Sequence, residues 1–217
     1  MINEYLKQNR SVIQRAQTFN NEQLERHSIS PQGVGWNGQE SQSVRYEQLL
    51  RILPPVPDAG ITINDVGCGY GFLWHMLSDN NNIVKYRGYD ISDNALVTTA
   101  RAQMSTDDDR VEFHHLSDIE IADYSVASGI FGMRFDFEPA EWHAYILETL
   151  DVLDQYSRHG FAFNMLTSYS DPDKLKNDLY YADPCLYFDI CKRKYARNVA
   201  LLHDYGLYDF TILVRKT

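Results

Sequence analysis

Cysteine is scarce: Cys68, Cys185 and Cys191 are the whole complement of 217 residues, an odd number with no CxxC pair. That excludes a disulfide framework and a zinc ribbon as the basis of the fold, and all three are expected to be free thiols. Proline is sparse at seven residues, and no repeat or low-complexity tract is visible. With 44% hydrophobic and 13% aromatic residues, the chain is globular rather than disordered. No apolar run is long enough to cross a bilayer, and the opening MINEYLKQNRSVIQ lacks the apolar stretch of a secretory signal, so a cytoplasmic protein without a membrane partner is expected. Positive charge is short as well. Twenty lysines and arginines stand against 30 acids, a net charge of -10, and the one basic run is Lys192-Arg193-Lys194. Such a surface repels a phosphate backbone, so nucleic acid is not expected as a partner.

What remains is one compact domain with a small appendage. Ile2, Tyr5, Leu6, Val12, Ile13, Ala16 and Phe19 recur at helical intervals, so an amphipathic helix opens the chain. A polar, glycine-bearing passage from Ser30 to Ser41 follows, then a second helical pattern through Tyr46, Leu49, Leu50 and Leu53. Pro54, Pro55 and Pro57 close it. From Ile61 short β-type runs alternate with helical ones, the pattern of a parallel sheet with helices on its faces. Strands are expected near 61–66, 85–90, 111–114, 123–128 and 160–166, with helices at about 71–79, 93–104 and 139–155. Asp183-Pro184 starts a further helix, Asp as N-cap and Pro in the first turn. The runs 198–203 and 208–214 have only four residues between them, too few for a crossover helix, and must pair antiparallel.

The chemistry concentrates at Asp65-Val66-Gly67-Cys68-Gly69-Tyr70-Gly71, where a strand passes into a helix through a turn that lets a ligand approach the backbone. A nicotinamide fingerprint needs glycine at the first, third and sixth positions of such a turn, and the sixth here is Phe72. The glycines fall at one, three and five, with Asp65 two residues ahead, an acid suited to the ammonium of a bound amino acid. Asp90, 19 residues after Gly71, can accept both hydroxyls of a ribose. Asp118-Ile119 follows the third strand and suits an adenine amino group and ring face. Ser128-Gly129-Ile130-Phe131 ends the fourth strand, beside the crevice where an open sheet reverses its order. His114 and His115 are adjacent on a strand and point to opposite faces, so no metal site is expected.

These residues resemble the class I S-adenosylmethionine-dependent methyltransferases: Asp65 to Gly71 matches the DxGxGxG motif, Asp90 the acid after the second strand, and Asp118-Ile119 the adenine-contact pair. The closing hairpin matches too, and the similarity spans about residues 58 to 217. The resemblance implies a Rossmann-like doubly wound α/β sheet of seven strands in order 3-2-1-4-5-7-6, the last-formed strand antiparallel, behind an N-terminal helical cap at 1–57. It implies S-adenosylmethionine as cofactor, S-adenosylhomocysteine as product, and donor contacts from Asp65, Gly67, Cys68, Gly69, Asp90, Ile91, Asp118, Ile119 and Gly129. By analogy Trp36 and Arg45 close over the donor, Arg45 pairing with its carboxylate; the competing role for Arg45 is a solvated helix residue. A small-molecule acceptor, methylated on oxygen or nitrogen, is expected against Phe131, Tyr180 and Tyr181. Tyr169 and Tyr187 belong to the same tyrosine-rich stretch and divide with them between packing and the acceptor. His203 and Tyr205 are the catalytic candidates, with turn stabilisation as their alternative role. Asn164 is expected to be buried in packing. No Asn-Pro-Pro-Tyr type motif follows the fourth strand, which weakens methylation of an amide or base nitrogen. The same fold could also serve as a non-catalytic binding protein, and a nicotinamide oxidoreductase is the remaining alternative.

Overall fold

The computed structural model describes residues 2–27, 39–55, 59–91 and 94–216. Trp36, Pro57 and most of the passage from Ser30 to Ser41 lie outside the described residues.

Seven strands form one sheet in the order β3-β2-β1-β4-β5-β7-β6. They are β1 (Ile61–Val66), β2 (Ile83–Asp90), β3 (Val111–His115), β4 (Ala122–Ala127), β5 (Ser157–Leu166), β6 (Asn198–Leu202) and β7 (Asp209–Arg215). The first five pair parallel, and β7 runs antiparallel to both β5 and β6. The short link between β6 and β7 left no room for any other pairing, and the expected strand order holds.

The helices are α1 (Ile2–Gln8), α2 (Arg10–His27), α3 (Gln39–Leu50), α4 (Phe72–Leu77), α5 (Ala95–Asp107), α6 (Pro139–Gln155) and α7 (Pro184–Lys194). The single opening helix of the sequence pattern is divided into two at Asn9, whose side-chain amide adds a second bond at 3.0 Å to the Tyr5 carbonyl that its backbone amide already meets. α3 begins seven residues before Tyr46, where the apolar pattern starts, and is over before Pro54, which excludes helix from the residue ahead of it. Asp183 caps α7 as expected, accepting from the Cys185 and Leu186 amides at 2.8 and 3.3 Å.

Alternation along the strands divides the core into two layers. Phe161, Phe163 and Met165 of β5 face a cluster with Trp142, Ile146 and Leu150 of α6. Ala162 faces the other side, with Leu49 of α3 and Leu73 and Trp74 of α4. The segment before residue 58 contributes to both layers. Tyr5 and Val12 join the α6 layer, and Tyr46 and Leu49 the other. Two polar contacts fasten α1 and its junction with α2 onto α6: the Tyr5 and Thr149 hydroxyls at 2.9 Å, and the Asn9 amide to the Glu148 carboxylate at 2.7 Å.

Candidate active site

β1 ends in a turn whose three glycines all take positive φ: Gly67 at 77°, Gly69 at 55° and Gly71 at 90°. Side chains rarely adopt these angles. Space reinforces the point, because a Cβ on Gly67 would lie 2.3 Å from Ile130 and one on Gly71 would lie 2.7 Å from Phe113. The Gly67 and Cys68 amides donate to the Tyr89 carbonyl at 2.8 and 3.1 Å, which binds the turn to the end of β2.

Beyond the carboxyl ends of β1, β2 and β4 the structure holds a cavity of about 190 Å³. One side is the loop and its surroundings: Gly67, Cys68, Gly69, Asp90, Ile91 and Gly129. The other is apolar, with Phe19 of α2, Met133 and Phe135 from the β4–α6 connection, and Trp142 and Tyr145 of α6. α2 flanks the cavity with Val12, Ile13 and Ala16 as well. It is tied to the end of β2 by Gln17, which donates to the Ile91 carbonyl at 2.5 Å, and to the start of α5 by the Asn94–Asn21 amide pair at 3.3 Å.

Asp65 does not reach the cavity wall. It is completely buried behind the loop, where one carboxylate oxygen accepts from the Tyr86 hydroxyl at 2.7 Å and the other has no hydrogen-bond partner. Burial pushes its carboxyl up to about 7, against the Tyr86 hydrogen bond, which pulls the other way. Asp90 does reach the cavity, and its Oδ2 accepts from the Gly69 amide at 2.8 Å. The same oxygen lies 3.2 Å from the guanidinium of Arg101, on α5, which also donates through Nε to the Gly69 carbonyl at 2.7 Å.

Arg101 is the principal residue that sequence reasoning missed. Its signal was its position: Val97, Arg101 and Met104 stand at i, i+4 and i+7 on one helix face, the stripe that should be apolar. Asn164 is buried as expected, and its amide braces the rim. It donates to the Ser128 hydroxyl at 3.1 Å and accepts from the Gly129 amide at 2.8 Å.

Other expected site residues lie elsewhere. Arg45 is 8% exposed, which overturns the solvated reading, and its guanidinium is held by Asp209 at 2.5 Å and the Ser41 carbonyl at 2.9 Å. Its helix neighbours Gln42 and Tyr46 line the cavity; Arg45 does not. Asp118 is exposed in a short 3-10 turn and bonded to the Ser117 hydroxyl, and Leu116 rather than Ile119 meets the cavity. Phe131 is fully buried against Phe163 and Tyr145, inside the core rather than on the wall. The Tyr180 hydroxyl bonds that of Tyr187, and the Tyr181 hydroxyl ties down the backbone of Lys174 and Lys176. His203 packs between Tyr169 and Phe210, and the Tyr205 hydroxyl bonds Thr211 at 3.0 Å, its ionisation pushed up by burial. Neither lines the cavity, because the β6–β7 turn sits too far along the sheet from the ends of β1 and β2. Among the described residues no group of three or more histidines, cysteines or acids is placed to hold a metal ion.

The chain matches no described protein family in a scan of family profiles. It is 51% identical over 158 residues to a protein of Mycobacterium tuberculosis (strain ATCC 25618 / H37Rv) named "Putative methyltransferase Rv1506c", across 71% of this chain and 93% of that one. The chain belongs to the class I S-adenosylmethionine-dependent methyltransferases. Solved structures agree on the fold. Magnesium protoporphyrin IX methyltransferase from Synechocystis PCC 6803, with bound S-adenosylhomocysteine, superposes with a TM-score of 0.61 at 13% identity, over 96% of this methyltransferase and all of that chain. A chain of the Pnkp1/Rnl/Hen1 RNA repair complex superposes with a TM-score of 0.57 at 13% identity, over 82% of this chain and 42% of its own. No helix among the described residues of this methyltransferase is long and apolar enough to cross a membrane.

Proposed function

We propose that this enzyme binds S-adenosylmethionine along the glycine turn and transfers its methyl group to a small, largely apolar acceptor. The turn fits such a donor on its own geometry. Positive-φ glycines leave Gly67 and Gly69 as bare backbone on the wall, and the Asp90 carboxylate stands at the end of β2 for the ribose hydroxyls. Leu116 offers an aliphatic face for the adenine, where the sequence pointed to Ile119. Bound there, the donor supplies a methyl group on a positively charged sulfur.

A fold that serves both a porphyrin enzyme and an RNA repair complex leaves the acceptor to be argued from the cavity itself. The observation that carries the reading is the composition of the wall. Among the described residues lining the cavity only Asp90 and Arg101 are charged, and they pair with each other. A polyanionic acceptor would leave water and find no cation in return. Phe19, Phe135, Trp142 and Tyr145 instead give aromatic surface, and alignment of two reactants in such a dry pocket is the main demand of an in-line displacement. The Tyr5 and Tyr145 phenols are protonated at neutral pH, and burial moves their ionisation further away, so they offer the acceptor hydroxyls rather than phenolate bases.

Titration calorimetry with S-adenosylhomocysteine tests the donor half, with binding expected for the wild type and a loss of about tenfold or more for Asp90→Ala. No heat of binding in the wild-type protein would overturn it. A panel of aromatic hydroxyl and amine compounds set against RNA oligonucleotides, scored by release of the S-adenosylhomocysteine product, tests the acceptor half, and turnover on RNA alone would refute it.

A further inference from the structure

One residue of the glycine turn, Gly69, is held through both its amide and its carbonyl. The Gly69 amide donates to Asp90 Oδ2, the Gly69 carbonyl accepts from Arg101 Nε, and Arg101 and Asp90 close the ring as an ion pair at 3.2 Å. A second Arg101 nitrogen also donates to the Gly69 carbonyl. Both charged side chains are withdrawn from water, 9% exposed for Arg101 and 7% for Asp90. The ring joins three elements: the β1–α4 turn, the end of β2 and α5.

We propose that Arg101 is a positioning residue for the donor, locking the crest of the glycine turn and the Asp90 carboxylate into one rigid unit. The inference rests on the donor reading above, since it assigns a purpose to a group touching the same wall. Only a planar fork meets the geometry. Nε and a terminal nitrogen of one guanidinium reach a carbonyl and a carboxylate together, whereas an ammonium presents a single point of charge. The guanidinium also lies over the Phe113 ring, 5.7 Å from its centre, and this ring is the one a Cβ on Gly71 or Gly88 would strike. Arg101 therefore packs onto the aromatic side chain that fills the space left by two glycines. The charge has a second use. Asp65, Asp90 and the Cys68 thiol share the pocket behind and beside the turn with the Tyr46 and Tyr86 phenols, and Arg101 is the cation of that set. Without it the buried Asp90 carboxylate loses this ion-pair partner, and a turn carrying three positive-φ glycines loses the bonds that choose its conformation.

A purely structural arginine would hold α5 to the sheet and affect stability alone. Arg101→Gln, Arg101→Lys and Met104→Ala separate the two roles, because Met104 packs on the same face of α5 and makes no bond in the ring. Dissociation constants for S-adenosylhomocysteine and melting temperatures are measured for each. The expected result is a loss of affinity of about tenfold or more in Arg101→Gln, partial recovery in Arg101→Lys, and affinity within about threefold of wild type in Met104→Ala despite its lowered melting temperature. If Arg101→Gln does not fold, Arg101→Lys against Met104→Ala decides. Affinity unchanged in the arginine variants, or reduced equally in all three, overturns the inference while wild-type binding still upholds the donor site. No binding by the wild type overturns both.

Discussion

A carboxyl group sealed from water titrates by its surroundings, and Asp65 is such a group, with its carboxyl pushed up to about 7 from an ordinary 3.8. Between those two values the folded protein keeps a proton that the unfolded chain releases, so stability falls as pH rises through the window and levels off above it. Asp65→Asn removes the titration. Relative to wild type it is expected to gain on the order of 2–4 kcal/mol on moving from pH 5 to pH 8, read from urea midpoints at the two values. An unchanged difference between the two proteins at both pH values would show that Asp65 titrates normally. The acid was legible in the sequence, and its position was not. Two residues before the first glycine, the chain is still in β1, and the side chain falls into the layer behind the turn. Arg101 and Arg45 show the complementary blindness. Arginine in a helix is exposed by default, and a strand carboxylate, Asp90 from the preceding strand for Arg101 and the distant Asp209 for Arg45, helps to keep it inside.

At the scale of elements, α1 and α2 depend on borrowed contacts. Asn9 sits at their junction, buried, and its single amide group serves both the Tyr5 carbonyl and the Glu148 carboxylate. Asn9→Ala is expected to destabilise this pair of helices by about 1–3 kcal/mol, because the Glu148 carboxylate loses its amide donor and the Tyr5 carbonyl keeps only the backbone one. Hydrogen exchange should then accelerate across 2–27 and leave β1, β4 and β5 protected, whereas a uniform change over the chain would rule out a local anchor. The strands were readable almost to the residue because alternation and turn chemistry are local. β5 extends before its predicted start at Gly160, to Ser157, because Ser157, Arg158 and His159 are polar and carry no strand pattern although Ser157 pairs with Ala122. The apolar half of the cavity was not readable. Phe19, Met133, Phe135, Trp142 and Tyr145 each look like ordinary core residues, and only the docking of α2 beside α6 turns them into one wall.

The whole molecule is built so that site and core share their parts. Tyr5 and Val12 line the cavity and belong to the same apolar cluster as Trp142, Ile146 and Phe163. Thermal unfolding is accordingly expected to be a single transition that includes the N-terminal helices. Saturation with S-adenosylhomocysteine at about 100 times its dissociation constant should raise the midpoint by about 5–10 °C. A separate early transition, abolished by deleting residues 2–27, would mean that the helices form an independent unit.

The bonds that fix α1 and α2 join residues 144 and 139 positions apart. Helices that leave the ribosome before α6 must therefore wait until it has followed them out, with Val12, Ile13 and Phe19 uncovered while the intervening residues are made. The half-made chain carries an open apolar stripe that the finished enzyme never shows, and its yield in a cell depends on what shields that stripe in the meantime.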